Sequence, residues 1–206
     1  MAQEISLYDK HGQRLYLTPD ERRAFLKAAD SFPREVRSLC HLMAWTGCRI
    51  SEALEMMPLR VDLANSAAIF RSLKKRNKSH WRSVPISPAL LDMLDLVHNI
   101  RSVTNKDKLT GKGNYLLWPW SRSTAWRRIK EVMHKAGIEG AQATPKGLRH
   151  GFAIYALSRC DVPLNMLQKW LGHADIATTA IYCNALGEEE KEIASRMWNA
   201  EQRKAG

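Results

Sequence analysis

Apolar residues recur at helical spacing along most of the chain and at strand spacing in one short stretch. Val36, Leu39, Cys40 and Met43 follow one another three or four apart, which predicts a helix over Arg34–Trp45. Ahead of it, Thr18-Pro19-Asp20-Glu21 predicts a helix start: Thr18 can cap, Pro19 suits the first helical position, and Glu21 completes a capping box. Thr46-Gly47 breaks the second helix, and a third carries Ile50, Ala53, Leu54 and Met57 up to Pro58. The pattern then changes. Val61–Leu63, Ala67–Leu73 and Trp81–Ile86 read as short strands, joined by an Asn65-Ser66 turn and a basic loop from Lys75 to His80.

Helical spacing resumes at Ser87-Pro88, with Leu90, Leu94 and Val97 on one stripe, and gives way to a polar connector from Arg101 to Gly113. Beyond Ser121, Trp126, Ile129, Met133 and Ala136 predict an inward stripe that Gly137 ends. Thr144-Pro145 opens a helix with Leu148, Phe152, Tyr155 and Ala156 inward. Val162-Pro163 opens a shorter one that stops at Gly172, and a charged helix spans Glu188–Arg203. The expected fold class is mainly α (α+β), a helical domain with a small three-stranded antiparallel sheet. Residues 1–17 form an N-terminal arm, 18–187 one domain, and 188–206 a C-terminal helix or tail. A chain of 206 residues suffices for one domain with a sizeable core.

Charge narrows the partner. Lys and Arg number 32 against 21 Asp and Glu, a net +11, which favours polyanions through counterion release. Arg71, Lys74, Lys75, Arg76, Lys78 and Arg82 crowd the predicted hairpin without an acidic residue between them, and Arg122, Arg127, Arg128 and Lys130 form a second cluster. Such self-repelling density points to a phosphate backbone, and contacts of this kind are indifferent to sequence. Cys40, Cys48, Cys160 and Cys183 form no CxxC pair and lack zinc spacing to any His, so buried free thiols and a reducing cytoplasm are expected. No apolar run approaches the roughly 18 residues that span a bilayer. No metal site is expected.

The chemistry-bearing residues sit in separate motifs. Arg49 follows Thr46-Gly47-Cys48; Lys146, Arg149 and His150 occupy the first turns of a helix; His173 follows the helix-stopping Gly172; Tyr182 stands nine residues further on. Three basic residues at a helix N-terminus oppose its dipole unless an anion binds there. Arginine suits a phosphate because its planar fork donates parallel hydrogen bonds and keeps its charge. A tyrosine with an ordinary pKa near 10 needs guanidinium neighbours or a neutral His to become a nucleophile. Together these residues suit a site that holds a phosphodiester and attacks it with a phenol.

The combination resembles the tyrosine recombinases, the phage integrase family. Thr46-Gly47-Cys48-Arg49-Ile50-Ser51-Glu52 is similar to the family's TGxRxSE box. Leu148-Arg149-His150-Gly151-Phe152-Ala153 is similar to LRHxFA, and Leu171-Gly172-His173 with Thr178-Thr179-Ala180-Ile181-Tyr182 to LGHxxxxTTxxY. The resemblance runs from about Tyr16 to Leu186. It implies that Arg49 and Arg149 clamp the scissile phosphate and that Tyr182 attacks to form a 3′-phosphotyrosine. It gives His173 a hydrogen bond to the phosphate or a part in proton transfer. Lys75 would protonate the leaving 5′ oxygen, with Lys74 as the alternative. Glu52 and His150 would stand behind the reacting groups. Where the family usually has His, three residues before the second arginine, this chain has Lys146, from which phosphate binding is expected.

The resemblance further implies site-specific cutting and rejoining of double-stranded DNA with no cofactor. It also implies a homo-tetramer on DNA, a monomer or weak oligomer off it, and a C-terminal helix exchanged between protomers in a nucleoid-associated protein. The short arm is similar to the small stand-alone members. Two other functions fit the same motifs: a type IB topoisomerase-like nicking-closing enzyme, and an inactive DNA-binding regulator of the same fold.

Overall fold

A computed structural model describes residues 6–72, 80–103, 114–184, 191, 194 and 195. The first helix, α1 (Pro19–Ala29), begins as its capping signals require: Thr18 accepts from the Glu21 amide at 3.2 Å, and the Glu21 carboxylate accepts from the Thr18 amide at 2.8 Å. Helix α2 (Arg34–Thr46) buries Val36, Leu39, Cys40 and Met43, the predicted stripe, and packs against α1. The buried Arg22 of α1 donates through Nε and Nη2 to the Ala44 carbonyl, with its guanidinium between the rings of Trp45 and Tyr155 at 4.1 and 4.4 Å. The end of α2 is thereby tied down just before the break at Gly47.

Helix α3 (Ile50–Leu54) is shorter than the sequence pattern predicts, and a 3-10 turn at Pro58–Arg60 leads into the sheet. Strands β1 (Val61–Asp62), β2 (Ala67–Ser72) and β3 (His80–Pro85) lie in that order and run antiparallel. The register sets Val61 opposite Ala68 and Phe70 opposite Arg82. Strand alternation turns Arg82, Val84 and then Ile86 toward the core.

Helices α4 (Pro88–His98) and α5 (Arg122–Lys135) cover the other flanks of α2. The inward stripe of α5 is Ala125, Ile129, Val132 and Met133, whereas Trp126 is 43% exposed. This corrects the expected inward tryptophan. At about 100° per residue Trp126 stands at the rim of that stripe, with the Lys130 ammonium 6.0 Å from its ring centroid.

Helix α6 (Pro145–Ser158) is central and buried on nearly every side. Leu148 joins the larger core, while Phe152, Ala153, Ile154 and Ala156 join a second one with Leu7, Tyr16, Leu167, Leu171 and Tyr182. Each large aliphatic or aromatic side chain removed from water contributes about 1.5–3 kcal/mol. The described part of the N-terminal arm belongs to this body: Leu7, Tyr16 and Leu17 are buried, and the Leu17 amide donates to the Gly147 carbonyl at 3.2 Å. Helix α7 (Leu164–Leu171) ends at Gly172, and α8 (Ala177–Ala180) with a 3-10 turn at Ile181–Asn184 delivers the tyrosine. Among the described residues, no helix is long and apolar enough to cross a membrane. Cys40 and Cys48 are buried, but Cys160 and Cys183 are exposed, at the edges of their elements, against the expectation of buried thiols.

Candidate active site

Two left-handed glycines aim the site. Gly47, at φ 61°, ends α2, and a Cβ there would meet the Phe152 ring at 2.2 Å. Glycine alone fits both the backbone and the contact. Its carbonyl accepts from Arg149 Nη1 at 2.7 Å. Gly172, at φ 69°, ends α7 against the Arg82 side chain and turns the next residue, His173, inward.

Arg149 projects from the first turns of α6, and both terminal nitrogens of its guanidinium are engaged. Nη1 donates to Gly47, and Nη2 donates to the Leu171 carbonyl at 2.7 Å and lies 3.0 Å from His173 Nε2. Burial, then the nearby Arg49, pulls its pKa down to about 10, so it remains a cation at neutral pH. An arginine has no acceptor, so His173 Nε2 accepts, and Nδ1 carries the hydrogen facing Thr179 Oγ1 at 3.0 Å.

Arg49 caps α3 and is held by the buried Glu52. The Glu52 carboxylate accepts from the Arg49 amide and from its Nη1, each at 2.8 Å. The Arg49 side chain retains 25% exposure, unlike the Glu52 carboxylate that holds it. The other partner of Glu52 is Arg82, whose Nη1 and Nη2 donate at 3.1 and 2.7 Å while Nε donates to the Trp170 carbonyl at 2.7 Å. Burial alone would raise the Glu52 pKa, but Arg82, Arg49 and Arg149 hold it below the usual carboxylate range.

Tyr182 lies in this pocket at 1% exposure. Its ring stacks on that of His173, with centroids 6.3 Å apart and planes 16° apart, and its hydroxyl is 2.8 Å from His150 Nδ1. Burial pushes the phenol above its ordinary pKa, against the opposing pull of Arg149 and Arg49. The His150 imidazole is driven down to about 3 by burial, then by Lys146 and Arg149, and is therefore neutral.

The structure brings together Arg49, Arg149, His173 and Tyr182, four residues from three separate motifs, with Glu52 and His150 directly behind them. Lys146 is exposed at the start of α6, close enough for its charge to act on His150. Arg82 is a correction. It was expected at the DNA surface, but its side chain is 3% exposed and its donors are spent on Glu52 and Trp170. The alternation of Arg82, Val84 and Ile86 carried that signal. Lys130 is also turned inward, donating to the Ala143 carbonyl at 2.8 Å, whereas Arg122, Arg127 and Arg128 are exposed along α5. Lys74, Lys75, Arg76 and Lys78 lie outside the described residues, as do Glu188, Glu189 and Glu190 of the tail. Among the described residues no cluster of His, Cys, Asp and Glu could hold a metal ion.

Comparison with known proteins places the chain in a family. The model of the phage integrase family matches residues 15–189. Tyrosine recombinase XerA of Pyrococcus furiosus is 28% identical over 193 residues, covering 87% of this chain and 60% of its own length. A crystal structure of XerA recombinase superimposes with a TM-score of 0.73 at 29% identity, over 90% of this chain and 65% of that one. XerH recombinase, solved bound to its difH substrate before cleavage, shares the fold with a TM-score of 0.67 at 20% identity, over 93% of this chain and 59% of that one. The chain thus spans about three-fifths of the length of these relatives.

Proposed function

Because the chain belongs to the phage integrase family, we propose that it carries the catalytic unit of a site-specific DNA recombinase, with Tyr182 as the nucleophile that forms a 3′-phosphotyrosine bond. The observation that carries this reading is the convergence of Arg49, Arg149 and His173 on the Tyr182 phenol. XerH was solved with a DNA substrate, which supports double-stranded DNA as the partner.

In this reading the scissile phosphate docks on Arg49 and at the Arg149–His173 pair. Fixed positive charge there is strongest where the pentavalent transition state gathers negative charge on its non-bridging oxygens. The phenol oxygen attacks phosphorus, the P–O5′ bond breaks, and the 5′ oxygen takes a proton from Lys75 or, alternatively, Lys74. Lys146, exposed at the head of α6, adds a phosphate contact. Because Tyr182 is buried, the short α8 segment must shift to open the phenol to the DNA while leaving its hydroxyl beside His150. The new P–O bond conserves the energy of the old one. A second 5′ hydroxyl can therefore displace the tyrosine with no nucleotide or metal consumed.

Arg122, Arg127 and Arg128 lie along the DNA backbone in this reading. Residues 18–187 form the catalytic domain, the segment beyond 188 docks on a neighbouring protomer, and four protomers assemble on two sites.

The test is covalent trapping on a nicked duplex whose site is first selected by binding from a random pool. The wild-type chain should accumulate a protein–DNA adduct, and Tyr182→Phe should bind the duplex and form none. An adduct in the phenylalanine variant assigns another nucleophile. Absence of any wild-type adduct on bound duplex indicates a binding regulator instead. Relaxation of a supercoiled plasmid lacking the selected site favours the nicking-closing reading.

A further inference from the structure

We propose that His150, through Nδ1, is the catalytic base that takes the Tyr182 proton during strand cleavage and returns it during religation. The inference rests on Tyr182 being the nucleophile. Two histidines flank the phenol, and their hydrogen bonds separate them. His173 spends Nε2 on Arg149 and Nδ1 on Thr179, so it meets the tyrosine ring face to face. His150 instead points Nδ1 at the hydroxyl from 2.8 Å. The phenol oxygen also interacts with the Arg149 guanidinium, which can only donate. The phenolic hydrogen is left to point at His150, and Nδ1 accepts it.

That tautomer puts the second ring hydrogen on Nε2. This atom is buried and has no hydrogen-bond partner among the described residues. A buried polar atom left unpaired costs about 1–3 kcal/mol, and sites that tolerate such a cost are often functional. A neutral imidazole whose one free lone pair faces a hydroxyl has the geometry a base requires, and its affinity for a proton, held low in the free protein, must rise when substrate binds.

Burial first, and the charges around His150 second, keep the proton on tyrosine in the free protein. Lys146 and Arg149 on its own helix face His150, and Arg49 and His173 lie beyond the tyrosine ring. In the free protein the cations, on top of burial, disfavour the imidazolium. A docked phosphodiester brings negative charge beside Arg149 and Lys146 and offsets that repulsion, so the affinity of His150 for the proton rises when the substrate is present. The transfer balances. The hydroxyl proton moves to Nδ1, the oxygen lone pair forms the P–O bond, and the P–O5′ electrons leave with the 5′ oxygen. Lys146, where the family usually has histidine, is exposed and cationic and is suited to the phosphate rather than to the proton.

The experiment compares His150→Asn, His150→Ala and wild type in single-turnover adduct formation on the selected nicked duplex. Asn places an acceptor oxygen near the Nδ1 position and can keep the hydrogen bond, but it cannot hold a proton at neutral pH. Both variants should be slowed by about 10²–10⁴-fold, the usual worth of a positioned base. Added imidazole should restore His150→Ala in part and leave His150→Asn unchanged. The defect should persist on a 5′-bridging phosphorothiolate, whose leaving group needs no acid. Wild-type rates in the Asn variant overturn the proposal and make the contact positional. Faster cleavage in the Ala variant overturns it too and makes the contact a restraint on the tyrosine. Should wild type itself form no Tyr182 adduct, the nucleophile assignment fails and this inference with it. Should wild type form one and only the His150 variants match its rate, this inference fails alone.

Discussion

The two sides of the candidate pocket are built on opposite principles. On one side Arg49, Glu52 and Arg82 form a chain of ion pairs in which every oxygen of the buried carboxylate is matched by donors at 2.7–3.1 Å. On the other side His150, Tyr182 and His173 are joined by side-chain hydrogen bonds and ring stacking, with one His150 nitrogen left unmatched. Saturated charge fixes geometry, since moving any member strands a buried ion. Groups joined by hydrogen bonds can exchange a proton at small cost. In the proposed reaction the first side holds Arg49 toward the phosphate and the second side carries the movement of the proton.

The largest effect is expected at Glu52. Glu52→Ala leaves the Arg82 guanidinium buried without its carboxylate, and such broken pairs cost about 3–5 kcal/mol. A clear fall in thermal midpoint should follow. Replacing both partners, Glu52→Leu with Arg82→Met, should recover much of that stability yet leave adduct formation slowed by about 10²-fold, because Arg49 loses the group that aims it. Stability and activity falling and recovering together would break the comparison.

Next in size is Gly47→Ala, at the seam between the two sides. The added methyl meets Phe152 and a left-handed backbone, for about 1–3 kcal/mol of destabilisation measured by denaturant unfolding. The Arg149 contact to the Gly47 carbonyl makes a loss of activity accompany it. An unchanged unfolding midpoint would contradict the packing described.

A smaller effect is expected from pH. His98 and His150 are pushed down to about 4 and about 3, chiefly by burial, from an ordinary value near 6.5. Between 6.5 and those lower values the unfolded chain holds protons that the folded chain refuses, so stability falls as pH drops through that window. His98→Asn, far from the pocket, should flatten part of that acid limb in a series of melts without touching adduct formation at neutral pH. His150→Asn should flatten it and lose activity as well. An acid limb identical in all three proteins would contradict the neutral assignment of both imidazoles.

The smallest effect is expected on α5, away from both sides. Arg127→Ala or Arg128→Ala should leave stability within about 0.5 kcal/mol. Each should lower the slope of duplex affinity against salt by about one phosphate contact. An unchanged slope removes α5 from the DNA surface.

Much of this site was legible in the sequence, because short-range rules fixed it. The capping box at Thr18 and Glu21 and the helix stops at Gly47 and Gly172 are local backbone chemistry, and the structure carries each of them. Misreadings arose where side-chain direction outranked the sequence pattern, as at Lys130, which turns inward to the Ala143 carbonyl. Arg82 sits at the end of a basic stretch and read as surface, although its alternation with Val84 and Ile86 turns it inward beneath Glu52. Trp126 read as core by its spacing to Ile129 and Met133, although Ala125, Ile129 and Val132 centre the stripe one residue away. Which histidine meets the phenol lies beyond any sequence rule. His150 and His173 sit in equally suggestive motifs, and only the packing of α6 against the Tyr182 turn separates them.

The most direct measurement is to locate the covalent DNA. The adduct trapped on the nicked duplex would be digested with trypsin and nuclease, and the phosphonucleotide-bearing peptide sequenced by mass spectrometry. The modification should fall on the peptide Trp170–Lys191 and, within it, on Tyr182 through a 3′-phosphate. DNA attached to any other residue would contradict the assignment of the pocket as the cleavage site.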